Sequence, residues 1–152
     1  IEEVILDENH PYFRIEEGAI CNGEKVKALY NKEGTVFISP LKAVGTIETY
    51  EIPSSVIEGV EITEIEQYAF HRQSNLNEIT LANTIRKIGY SFDSCISLQK
   101  IEIPNSVTTI HNDCFNNATN LKEIIIHNTE GAIAGQPWGC IYGDKAVHWV
   151  GN

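Results

Sequence analysis

A β-rich solenoid, in which coils of 22–23 residues stack their short strands in parallel, is the fold that this sequence predicts. Three observations predict it. The frame Leu-x-x-Ile-x-Ile returns at Leu76, Leu98 and Leu121, followed each time by Ile79, Ile101 or Ile124 and then by Leu81, Ile103 or Ile126. A phenylalanine stands six residues ahead of each of these leucines, at Phe70, Phe92 and Phe115. Ile85 and Ile88 match Val107 and Ile110, which marks a second short strand on another side of the coil. Self-similarity at a fixed period of this size is the signature of a stacked repeat.

The frame has a physical reason. In an extended stretch side chains alternate faces, so Ile79 and Leu81 point one way while Glu78 and Thr80 point the other. A single coil cannot bury its apolar row alone, and neighbouring coils about 4.8 Å apart share one interior. The three phenylalanines should stack as a ladder at one corner. Ala69, Ser91 and Cys114 hold the place just before them, where only a small side chain fits.

The stretch IPNSVTTIHNDCF, continued by NLKEI, resembles the BspA-like leucine-rich repeat family of bacterial surface proteins. The family pattern runs Ile-Pro-x-x-Val-x-x-Ile-x-x-x-Ala-Phe-x-x-Cys-x-x-Leu-x-x-Ile. Ile103, Pro104, Val107, Ile110, Phe115, Leu121 and Ile124 fit it, as do Ile52, Pro53, Val56, Ile65, Ala69, Phe70, Leu76 and Ile79. Ala82 replaces the proline in one coil, and the run from Ile88 to Phe92 is one residue short. The resemblance implies a leucine-rich-repeat solenoid with an interaction role, no catalytic residues to carry over, and a place outside the cell or on its surface.

From the N-terminus, Ile1, Val4 and Leu6 already satisfy the frame, so residues 1–6 read as a first strand and the chain as a fragment of a longer protein, entered in mid-coil. The acidic residues Glu2, Glu3, Asp7, Glu8, Glu16 and Glu17 lack calcium-loop spacing and read as a solvated end. Over residues 18–40 the repeat breaks into an inserted antiparallel meander, whose first turn is Asn22-Gly23, a type I′ hairpin signal. In the resembled family a comparable excursion occurs, matched here by His10-Pro11-Tyr12-Phe13 through Gly18. It is either a binding protrusion or a structural irregularity.

Regular repeats cover residues 47–126, opening on Ile47, Tyr50 and Ile52, with a loop at Ile57–Glu61 absorbing the longer interval before Leu76. Residues 127–152 read as a C-terminal cap, built as a β-hairpin that turns at Tyr142-Gly143-Asp144-Lys145. Trp138 and Trp149 would then cover the apolar end of the last coil, with a carbohydrate-binding aromatic pair as the rival reading. All 152 residues form one solenoid domain on this reading.

Composition narrows the function. The net charge of −10 comes with no stripe of Lys and Arg, which argues against nucleic acid and against an anionic membrane surface. No apolar run approaches 20 residues, so direct membrane insertion is not expected. Cys95 and Cys114 fall on core-facing repeat positions and read as free thiols, and no Cys pair has zinc-site spacing. No cofactor is expected. The five histidines are scattered, and the glycines form no phosphate loop. His111 and Asp113 flank Cys114, but a core cysteine is a poor nucleophile. The glutamate rows, which invite comparison with a glycosidase pair, read as a solvated sheet face. Asn117-Ala118-Thr119 is a lone sequon match.

Outward positions line up in columns. One holds Glu3, Thr49, Glu78, Lys100 and Glu123, and the next holds Ile5, Glu51, Thr80, Glu102 and Ile125. Opposite charges should meet across coils at Glu64 with Lys87 and at Glu78 with Lys100. The candidate binding surface is therefore Glu78, Thr80, Lys100, Glu102 and Glu123, with Tyr68 and Tyr90 as edge aromatics. The expected role is non-catalytic and adhesin-like, binding a host protein or another surface protein, with carbohydrate as a second ligand class. The alternatives are a passive spacer and a hydrolase with its site in the meander or cap.

Overall fold

A computed structural model describes residues 6–151. The expected first strand, including Ile1, Val4 and the column positions Glu3 and Ile5, falls outside the described residues. Eleven strands are formed among those described: β1 (Phe13–Cys21), β2 (Glu24–Asn31), β3 (Val36–Ser39), β4 (Thr49–Ile52), β5 (Glu64–Ile65), β6 (Glu78–Leu81), β7 (Lys87–Ile88), β8 (Lys100–Ile103), β9 (Thr109–Ile110), β10 (Glu123–Ile126) and β11 (Val147–Trp149). The result is a curled, strand-rich stack. Its only helical element among the described residues is a 3-10 turn at Gly143–Ala146.

Strands β1, β2 and β3 run antiparallel, beginning at Phe13 rather than at Gly18. Asn22 and Gly23, with φ of 52° and 83°, make the first turn as a primed hairpin requires. The second turn is fixed by Asn31, whose side-chain oxygen accepts from the Thr35 and Val36 amides at 2.8 and 2.9 Å. The loop at residues 57–61 packs on this turn. A Cβ on Gly34, itself at φ 79°, would come within 2.5 Å of Ile57 Cδ1.

The meander joins two columns of parallel strands. On one side β1 pairs with β4 and β4 with β6; on the other β3 pairs with β5, β5 with β7 and β7 with β9. The registers place Tyr50 beside Ile79, Ile52 beside Leu81 and Ile65 beside Ile88. Inside, Phe70 and Phe92 stack with centroids 5.5 Å apart, and Phe92 and Phe115 follow at 6.0 Å. Phe37 of β3 adds a rung below them, 5.4 Å from Phe70 and within 4° of coplanar. All four rings are fully buried.

Polar side chains tie each coil to the one before it. Ser97 donates to Ser74 O and Asn120 to Ile96 O, at 2.6 and 2.7 Å. Thr84 and Ser106 do the same for Ile62 O and Ile85 O, both at 2.7 Å. These bonds satisfy turn carbonyls that the strands do not reach. At the shortened coil the chain cuts close to its neighbour. A Cβ on Gly89 would lie 3.0 Å from Gln67 N and from Ile65 O, so glycine permits the missing residue.

Two expectations need correction. The C-terminal segment is not a β-hairpin: β11 lies parallel to β10, with Val147 beside Ile124 and Trp149 beside Ile126. The reason is spacing, since Trp138, Val147 and Trp149 each follow Phe115, Ile124 and Ile126 by 23 residues and so form one more coil. Trp138 takes the phenylalanine rung with its main chain, accepting from the Phe115 amide at 3.0 Å, while its ring packs with Trp149.

The second correction concerns the first column, which is not continuous. Strands β8, β10 and β11 make a separate three-stranded sheet, and no ladder joins β6 to β8.

Because the ladder rings touch coils on both sides, Phe92→Ala should lower stability by about 3–5 kcal/mol. Denaturant unfolding followed by circular dichroism checks this.

Candidate binding surface

Alternation in β6, β8 and β10 turns Glu78, Thr80, Lys100, Glu102 and Glu123 outward, and all five are exposed. The columns hold in register within each sheet: Glu78 sits beside Thr49, Thr80 beside Glu51, Glu123 beside Lys100 and Ile125 beside Glu102. Between β6 and β8 the surface opens into a groove of about 450 Å³. Asn77, Glu78, Thr80, Lys100, Glu102 and His127 contribute to its walls. Ile79 and Leu81 reach its floor, at 7% and 8% exposure, whereas Ile103 and Ile126 are fully covered.

The main chain at the break differs from that at the β8–β10 and β10–β11 pairs. Just past β10 and β11, His127 donates to Ile103 O at 3.0 Å and Val150 to Ile126 O at 2.9 Å. Pro104 holds the equivalent place after β8 and has no N–H to give to Leu81 O. At the strand entry, Lys122 donates to Gln99 O and Asn77 to Glu48 O. The corresponding bond from Gln99 to Asn77 O is not formed among the described residues.

Charge follows this geometry. Lys87 and Glu64 meet at 3.9 Å across intact strands, as their register requires. The expected pairing of Glu78 with Lys100 does not form, because the ladder between their strands is missing. Lys100 turns instead to Glu102 on its own strand, at 3.9 Å. His127 Nε2 lies 2.7 Å from the other oxygen of Glu102. The hydrogen bond from His127, and then the charge of Lys100, hold the Glu102 carboxyl below its usual range.

Tyr68 and Tyr90 lie elsewhere, on the corner between the short second-side strands and the phenylalanine ladder. Their rings are 5.4 Å apart, with His71 and His111 each 5.5 Å from one of them. Beneath them Asp93 is buried, and its carboxylate accepts from Asn117 Nδ2 at 3.1 Å and Ser94 Oγ at 3.2 Å. His71 Nδ1 stands 3.0 Å from Asp93 Oδ2, outside hydrogen-bond geometry. The structure thus gathers Glu78, Thr80, Lys100 and Glu102 at one groove, sets Glu123 beside it, and leaves the tyrosines as a second patch. Sequence reading missed His127 and Pro104. The signal was their spacing of 23 residues, which puts them in one column.

The rival chemical readings find little to work with. Cys114 is fully buried, and burial pushes its thiol up to about 12, as it does for Cys95. His111 Nδ1 accepts from the Asp113 amide at 3.0 Å instead of approaching Cys114 as a base. All four cysteines are buried free thiols. Trp138 is fully buried with its indole N–H donating to Ala134 O at 2.7 Å, so the two tryptophans do not offer a paired platform to a sugar. Among the described residues no helix is long and apolar enough to cross a membrane.

Two measurements check these environments. Cys95 and Cys114 should resist thiol reagents at pH 8 in the folded protein and react on denaturation. Raised folded-state values mean that their contribution to stability is full below the ordinary thiol value of 9.0 and lost as pH rises toward about 12. Glu102 has a lowered value, so its contribution is present above the ordinary carboxylate range and fades as pH falls through the lowered one. His127→Ala should move the Glu102 midpoint up toward that range, read by NMR titration.

No curated protein and no solved structure matches the chain. A family pattern described as the BspA type leucine rich repeat region does match, in six copies over residues 43–136. Those residues are more than half of the sequence, and the chain belongs to the BspA-type leucine-rich repeat family.

Proposed function

We propose that the chain is a non-catalytic module that binds protein partners through the outward face of β4, β6, β8 and β10. The observation that carries this reading is the segregation of side chains: the aliphatic and aromatic columns are consumed by the core, while Glu78, Thr80, Lys100, Glu102 and Glu123 stand exposed on rigid strands. Sites on regular strands hold their geometry better than sites on loops. The family supports the reading, because its repeats are generally interaction modules and typically surface-associated. On the same support we place the protein on a cell surface or outside the cell, in an adhesin-like role toward a host or neighbouring surface protein.

The charge pattern argues for specificity more than for affinity. Exposed pairs such as Lys100 with Glu102 contribute about 0–1 kcal/mol each. A partner with complementary charges would gain in encounter rate and register.

The test is a charge reversal on the face, Lys100→Glu with Glu102→Lys, which keeps the exposed strands polar. Partners recovered by cross-linking with wild-type protein should bind the double variant at least tenfold more weakly, with unfolding midpoints unchanged. Equal binding of both proteins would exclude the face. A protein that recovers no partner, yet whose removal alters the spacing of neighbouring domains, would be the spacer.

A further inference from the structure

The seam between β6 and β8 has a use of its own. Each strand is the terminal member of its sheet, so two unpaired edges face each other in the middle of the molecule. An unpaired edge is a template for another extended chain. Isolated edges are normally blunted by a bulge, a covering loop or a proline. Here only Pro104 interrupts the row, and it does so at one end.

The opening is confined to the strands. Just before them Ser97 still donates to Ser74 O at 2.6 Å. Around the ladder corner, Tyr68 donates to Tyr90 O at 2.6 Å and Arg72 to Asp93 O at 2.9 Å. On the far side β5, β7 and β9 pair without interruption. The same two coils are therefore bonded at the ladder corner, on the far side and through Ser97, while no ladder joins β6 to β8.

Charge selects the occupant. Glu78 has no ion pair among the described residues, and Glu102 already draws both Lys100 and His127 toward itself. Thr80 also lines the wall, Lys100 is its one lysine or arginine among the described residues, and the whole chain carries a net charge of −10. An acidic segment would be repelled, while lysine or arginine at alternate positions of an extended segment would face these carboxylates.

We propose that the seam is a strand-acceptor site, taking an extended basic segment of a partner protein onto the free edges of β6 and β8. This rests on the interaction-module reading and names the partner's chemistry. Full insertion brings the two strands to about 9.6 Å, twice the ordinary spacing. Backbone bonds then supply the binding, and the groove carboxylates supply the preference for basic side chains.

The probe is a labelled, end-blocked peptide of alternating lysine and valine, seven residues long, compared with its glutamate counterpart and with a version N-methylated at alternate residues. Binding is read by fluorescence anisotropy, and amide hydrogen exchange is followed over residues 77–82 and 99–104. The lysine peptide should bind and slow exchange in both segments. The N-methylated peptide should bind at least tenfold more weakly, and the glutamate peptide should not bind. Equal binding of the methylated peptide, or binding without slowed exchange, overturns the proposal, as does no binding at all.

A second arm uses Thr80→Cys with Glu102→Cys. Loss of the Glu102 carboxylate should weaken lysine-peptide binding in the reduced variant, and closing the disulfide should abolish what remains. A closed protein that still captures its partner on the sheet face, with the peptide arm negative, removes the seam proposal and leaves the interaction module standing. The exchange experiment decides the matter even where the cysteine pair does not close.

Discussion

Everything in this molecule depends on coils sharing an interior that none of them can make alone. A strand of four residues with one apolar face buries too little surface to stay folded, but stacked faces close a continuous dry core. The phenylalanine rungs show how strict the stacking is. Phe37, Phe70, Phe92 and Phe115 repeat at centroid separations of 5.4–6.0 Å, and each ring covers the one beneath it. The side-chain bonds to the preceding coil follow from the same constraint. Once the rings fix the spacing, Ser97, Asn120, Thr84 and Ser106 find a carbonyl at hydrogen-bond distance.

Much of this was legible in the sequence because a repeat multiplies a weak signal. Leu76, Leu98 and Leu121 individually say little, but their common neighbours settle the register of β4 with β6 and of β8 with β10. Phe37 was not legible as a rung, because it lies in a meander strand whose local pattern carries no period. The last coil was hidden by substitution. Trp138 stands for phenylalanine and Val147 for isoleucine, and a nearby Tyr-Gly-Asp-Lys looks like a hairpin turn. Spacing was the better guide there than residue type.

The candidate surface was legible to a different degree. Alternation alone turned Glu78, Thr80, Lys100, Glu102 and Glu123 outward. Column arithmetic also paired Glu64 with Lys87 correctly. The same arithmetic failed for Glu78 and Lys100, because it assumes that every neighbouring strand is hydrogen-bonded. Pro104 lacks a donor at this place, and the shortened coil runs close to its neighbour at Gly89. Those are properties of the main chain, which side-chain periodicity does not record. The tyrosines illustrate a further limit: Tyr68 and Tyr90 share a column but look out from another corner, beside His71 and His111.

The unequal bonding of the two columns has a mechanical side. Along β3, β5, β7 and β9 the ladder is unbroken, while along the other flank it parts between β6 and β8. Geometrically this is a hinge, whose pivot is the intact column and whose jaw is the gap opposite. A change of a few ångströms in the jaw becomes a change of angle between the meander end and the β11 end. A segment seated in that gap would tilt one end of the stack against the other.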